Sequence, residues 1–82
     1  MNSSLPEKKK KVDYAALASP FMRIPKMNVR AARALMDMGI REVYELRGRD
    51  PESLLQDYSK IANPDPDLLK YFTIAVSFSE LF

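Results

Sequence analysis

Residues 24–40, IPKMNVRAARALMDMGI, read as a tight turn that feeds a short helix and stops at a glycine. Pro25 presets its φ at about −65° and suits the second position of a turn. Asn28 is a residue type favoured at N-caps, because its side-chain oxygen accepts free N–H groups two or three positions on. From Val29 the period is helical. Ala32, Leu35 and Met36 share one face with Ala31, Ala34 and Met38 beside them, while Arg30, Arg33 and Asp37 turn outward. Gly39 can take φ > 0 and close the helix, with Ile40 packing back on its last turn. The small alanines let a second helix approach closely, and the preceding Ala15, Ala16, Leu17, Phe21 and Ile24 supply one.

A helix, a hairpin led by Ile-Pro, an Ala-rich second helix and a Gly-Ile exit resemble the helix-hairpin-helix modules that bind DNA backbone. The pattern there is roughly Leu-Pro-Gly-Val-Gly-Pro-Lys-Thr-Ala, then Leu, then Gly-Ile. Ile24, Pro25, Met27, Arg30, Ala32, Leu35, Gly39 and Ile40 fall on matching places, whereas Lys26 and Asn28 replace the two hairpin glycines. The resemblance implies backbone N–H groups at a helix N-terminus that meet a phosphate. Arg30 stands where the family has a lysine, and Arg33 one turn on reaches a neighbouring phosphate.

The replacements bear on that expectation. A type II turn wants φ > 0 at Lys26, which costs on the order of 1–2 kcal/mol for a residue with a Cβ. A type I turn avoids the cost but aims the N–H groups differently. As a cap, Asn28 occupies donors that a phosphate would use. In compensation, Lys26 offers an ammonium where glycine offers only backbone. The candidate nucleic-acid site is therefore Lys26, Asn28, Arg30 and Arg33.

Eighty-two residues make one small domain, which buries only about 60% of the surface exposed by its unfolded chain. There is neither cysteine nor histidine, which removes disulfides, Cys/His zinc sites, thiol chemistry and the usual general base. This composition suits a reducing cytoplasm. The net charge of +2 is unevenly spread, with a basic front and an acidic back: residues 34–82 hold five basic against nine acidic side chains. Such asymmetry suits an anionic partner at the hairpin.

Residues 1–12, MNSSLPEKKKKV, are polar and without apolar period, and form an expected disordered basic tail. Residues 13–82 form the single domain. Asp13 caps a first helix over 14–21, in which Pro20 marks an end or kink near Ser19. A second helix spans 29–38. A third, short one spans 41–47, with Val43, Tyr44 and Leu46 inward, and Gly48 stops it. Asp50-Pro51-Glu52 opens a fourth helix over 51–62 with a capping acid and Pro at the first helical position. Leu54, Leu55, Tyr58, Ile61 and Ala62 follow its helical spacing. Asp65-Pro66-Asp67 repeats the signal for a last helix over 66–81. Leu68, Leu69, Phe72, Ala75 and Val76 make one stripe of that helix. Tyr71, Ile74, Phe78 and Phe82 make a second, which either completes the core or meets a protein partner such as a second copy. The core is expected to join Ala32, Leu35, Leu46, Leu55 and Phe72. No segment alternates with period two, so the fold class is all-α with about five short helices.

MGIREVYELRGRDPESLLQDY and LLKYFTIAVSF further resemble the small stand-alone proteins of the pathogenicity-locus family. The shared run is carried by Gly39, Ile40, Val43, Leu46, Gly48, Asp50, Pro51, Glu52 and Leu54, and the likeness covers about residues 15–80. It implies a SAM-like helix-hairpin-helix bundle and, by analogy, DNA binding. The pairs Asp50/Glu52 and Asp65/Asp67 are explained as helix-start residues. No nucleophile-base pair and no phosphate-cradling glycine loop is present, and no stretch reaches the roughly 18–20 apolar residues of a membrane span. No catalytic residue, metal, cofactor, small-molecule substrate or membrane contact is expected. Two functions compete: weak, sequence-independent binding of nucleic-acid backbone, and a non-enzymatic SAM-like protein-interaction module, homodimeric or not, whose hairpin has lost its phosphate site.

Overall fold

Caps and turn residues set the element boundaries. The computed structural model describes residues 12–81; the expected tail and Phe82 lie outside the described residues, apart from Val12. Four α-helices, α1 (Tyr14–Leu17), α2 (Val29–Asp37), α3 (Pro51–Ser59) and α4 (Leu68–Ser79), are joined by 3₁₀ turns at Pro20–Arg23 and Val43–Leu46. Among the described residues there is no strand, so the fold is all-α.

Asp13 caps α1, accepting the Ala16 N–H at 3.1 Å. The expected first helix is split, because Pro20 cannot continue it and instead begins a tighter 3₁₀ turn. Asn28 is extended (φ −116°, ψ 140°) and caps α2. The other end of α2 is a Schellman motif. Gly39, at φ +85°, donates to the Met36 carbonyl, Ile40 donates to that of Leu35, and the Ile40 side chain is buried. Asp50 caps α3 by accepting the Glu52 N–H at 3.2 Å, with Pro51 as its first residue.

The core lies where α4 packs on α3, the second 3₁₀ turn and α2, with α1 and the first 3₁₀ turn closing on α2. Ala16, Phe21, Ala31, Ala32, Leu35, Leu46 and Phe72 lose all solvent contact there. The three small side chains Ala31, Ala32 and Ala34 keep the buried face of α2 thin, so its neighbours approach its backbone.

Four expectations need correction. The fully buried leucine of α3 is Leu54, and Leu55 is only half-buried at the edge of the core. Helix α3 ends at Ser59, so Ile61 and Ala62 leave the helical path and are exposed. Helix α4 starts at Leu68 because Asp65 first closes a turn, accepting the Asp67 N–H at 2.9 Å. Tyr44 points outward, 63% exposed. Its segment is a 3₁₀ turn, in which Val43 and Leu46 eclipse one another at three residues per turn. Tyr44, one position on from Val43, is rotated a third of a turn away from the core.

Candidate nucleic-acid interface

The hairpin keeps the backbone of a glycine turn although it has no glycine. The Met27 N–H donates to the Ile24 carbonyl at 3.2 Å, and Lys26, third in that four-residue turn, stands at φ +66°. This is the type II pattern. Lys26 is the one non-glycine residue with positive φ among the described residues. Its side chain is exposed and has no carboxylate partner there.

The start of α2 is occupied from within. The Asn28 Oδ1 accepts the N–H of Arg30 at 2.7 Å and that of Ala31 at 3.4 Å. The Arg30 guanidinium pairs with Asp65 at 3.0 Å, with the arginine side chain 65% exposed. Such a surface pair is worth about 0–1 kcal/mol and exchanges readily.

Arg33 is held far more firmly. Its Nε and one terminal nitrogen donate to the two carboxylate oxygens of Asp13 at 2.8 and 2.7 Å, and its other terminal nitrogen reaches Asp37 at 3.3 Å. The hydrogen bonds from Arg33, then that from the Ala16 N–H, lower the Asp13 pKa to about 2. Hydrogen bonds to Asp13 and Asp37 in turn raise that of Arg33 above its ordinary value. The cleft beside the α2 N-terminus, about 780 Å³, is lined by Asn28, Arg30 and Arg33 together with Asp13 and Asp65. Its positive and negative charges balance. A phosphate entering it must displace carboxylates.

Of the four expected contact residues, the fold thus leaves Lys26 open, gives Arg30 one exchangeable partner, commits Asn28 to capping and ties Arg33 to two acids. On α4, the expected interface residues Tyr71, Ile74 and Phe78 are half-buried against the core, beyond them Leu81 is 75% exposed, and Phe82 lies outside the described residues.

Sequence reasoning missed a second cationic surface. Arg23 and Arg47 line one groove with Tyr44, Phe78 and Glu42, and neither arginine forms an ion pair with a carboxylate among the described residues. One signal was available: no Asp or Glu lies within four residues of Arg23 or Lys26.

Among the described residues no group of three or more acidic side chains is placed to hold a metal ion, and no helix is long and apolar enough to cross a membrane. The family model described as Cdd1, pathogenicity locus, matches residues 14–81, from the first turn of α1 to beyond the end of α4. No curated protein and no solved structure matches the chain.

Proposed function

This chain belongs to the pathogenicity locus family, and on that premise we propose that it is a small, non-catalytic cytoplasmic protein that binds nucleic-acid backbone weakly and without sequence preference through its hairpin. The observation that carries this reading is Lys26 at φ +66°. A lysine in the left-handed region costs on the order of 1–2 kcal/mol relative to a relaxed backbone. Strain of this kind persists where the surroundings over-determine it, and it clusters at functional positions. Here Pro25, the buried Ile24 and the Asn28 cap hold the turn, and the strained residue presents an ammonium with no carboxylate partner among the described residues. Charge at the tip stands in for the close backbone approach that glycine allows.

Lys26 and the exchangeable Arg30 contact two phosphates; Arg33 is committed to Asp13 and Asp37. Counterion release then gives log affinity against log salt a slope of about −2 for a duplex. The test is a salt titration of duplex binding by the full-length chain with Lys8, Lys9, Lys10 and Lys11 replaced by alanine, so that the tail does not supply the charge. Lys26→Ala in that background is expected to lower the slope by about one, for every sequence alike.

A second reading has its own observation. With Asn28 filling the Arg30 and Ala31 donors, the hairpin is a finished structural element. The protein is then an interaction module that meets a partner through Tyr71, Ile74 and Phe78. Absence of duplex binding at low salt selects this reading over the first.

A further inference from the structure

Three of the cations that meet no carboxylate among the described residues lie close together. Arg30, Arg33, Arg49 and Lys60 each meet an acid. Arg23, Lys26, Arg41, Arg47 and Lys70 meet none among the described residues, and of these Arg23, Lys26 and Arg47 fall along one path. Arg23 and Arg47 line a groove of about 320 Å³ with Tyr44, Phe78 and Glu42, and Glu42 makes no ion pair with either arginine. Phe78 also borders the shallow depression formed with Ile24 and Pro25, next in sequence to Lys26. From hairpin tip to groove the surface therefore runs Lys26, Arg23, Tyr44, Arg47. We propose that this path is a binding track for single-stranded nucleic acid, with one base stacked on Tyr44 and the phosphates on either side met by Arg23 and Arg47. The proposal rests on the hairpin reading above and names its substrate class: single strand in preference to duplex.

Two features suit this ligand. The Tyr44 ring is 63% exposed on a short turn whose neighbours Val43 and Leu46 face the core, so it offers a face that packing does not use. Base-on-aromatic stacking needs an open ring of this kind and tolerates any base. Arg47 is also pre-positioned. Its Nε donates to the Ser79 carbonyl at 3.3 Å, which ties the guanidinium to the end of α4 and leaves both terminal nitrogens for a phosphate. The Gly48 N–H donates to the Glu80 carboxylate at 3.0 Å and fixes the same loop. The groove stands at the small end of ligand sites, roughly 300–1,000 Å³, which fits one nucleotide. A duplex keeps its bases stacked inside and cannot offer one to Tyr44.

The test uses the full-length chain, the Lys8–Lys11 alanine background, and a fluorescently labelled oligo-dT of about twelve nucleotides, within the site sizes of single-strand binders, beside a duplex of equal length. Oligo-dT is expected to bind several-fold more tightly than the duplex. Tyr44→Ala should weaken oligo-dT binding about tenfold, on the order of one stacked base, and leave duplex binding unchanged. Tyr44→Phe should retain binding, since the ring remains. Arg23→Gln and Arg47→Gln should each weaken oligo-dT more than duplex. Unchanged oligo-dT affinity in Tyr44→Ala, or equal losses for strand and duplex, overturns the track; so does equal competition by poly-glutamate, which would mark the groove as an acidic-peptide site. If Lys26→Ala abolishes duplex binding while Tyr44→Ala is silent, the hairpin reading stands and the track falls. If Tyr44→Ala weakens oligo-dT while Lys26→Ala is silent on both, the groove stands and the hairpin reading falls.

Discussion

Lys26 and Asp13 both depart from ordinary local chemistry, in opposite senses. At Lys26 a side chain occupies backbone space that favours glycine. Lys26→Gly removes the ~1–2 kcal/mol left-handed penalty and adds the ~0.5–1 kcal/mol of chain entropy that glycine loses on folding. A net stabilisation of about 0.5–1 kcal/mol is expected in urea unfolding, together with weaker duplex binding. A variant that gains stability without losing binding would leave the strained lysine without a function. At Asp13 the partners favour the charged form, and its pKa is lowered from 3.8 to about 2. A group whose pKa is depressed by folding contributes its full stability above the unfolded value and loses it as pH falls through the folded one. The Asp13–Arg33 contribution is therefore intact above about pH 4 and vanishes toward pH 2. Asp13→Asn should lower stability at pH 6 and flatten the dependence between pH 4 and 2; equal slopes in parent and variant would show that the pair contributes nothing. Both side chains are about a third exposed, so solvent screens the interaction and keeps its size modest.

Among the elements, α3 separates packing from pattern. Leu54 and Leu55 are adjacent and equally apolar, yet Leu54 is fully buried and Leu55 only half. Truncating a fully buried leucine costs about 2–5 kcal/mol, the transfer loss plus the cavity. Leu54→Ala should approach that range, a large share of the roughly 5–15 kcal/mol that holds a domain together. Leu55→Ala should cost about half as much. Chemical denaturation of the two variants checks the ranking, and the reverse order would mean that α3 is rotated about its axis. The same distinction explains Tyr44. An α-helical reading of residues 41–47 places Val43, Tyr44 and Leu46 together, whereas the 3₁₀ turn keeps Val43 and Leu46 in register and turns Tyr44 out. Gly48, at φ +78°, follows too soon for a stable α-helix to form, and that was the visible clue.

At the scale of the whole molecule, residues 12–81 carry nine basic against ten acidic side chains, so affinity for an anion comes from how charge is placed rather than from its total. Sedimentation should report a monomer at high micromolar concentration, because Tyr71, Ile74 and Phe78 already spend part of their apolar surface on the core. A dimer broken by Ile74→Glu would instead favour the interaction-module reading. The sequence alone determined the all-α class, the start and end of α2, and the start of α3. Asn28, Gly39 and Asp50 act within a few residues of themselves, and capping is satisfied or not by the adjacent backbone. The turn at Lys26 was legible as a choice between two types, and the fold took the one that glycine normally fills. The fate of the charges was decided only by tertiary structure. Asp13 reaches Arg33 across twenty residues, and Asp65 reaches Arg30 from beyond α3, because packing sets the N-terminus of α1 and the turn before α4 beside α2. Arg23, Lys26 and Arg47 stay without an ion pair among the described residues for the same reason: coulombic pairing follows distance in space, and even Glu42, which shares the groove of the two arginines, does not come within pairing distance.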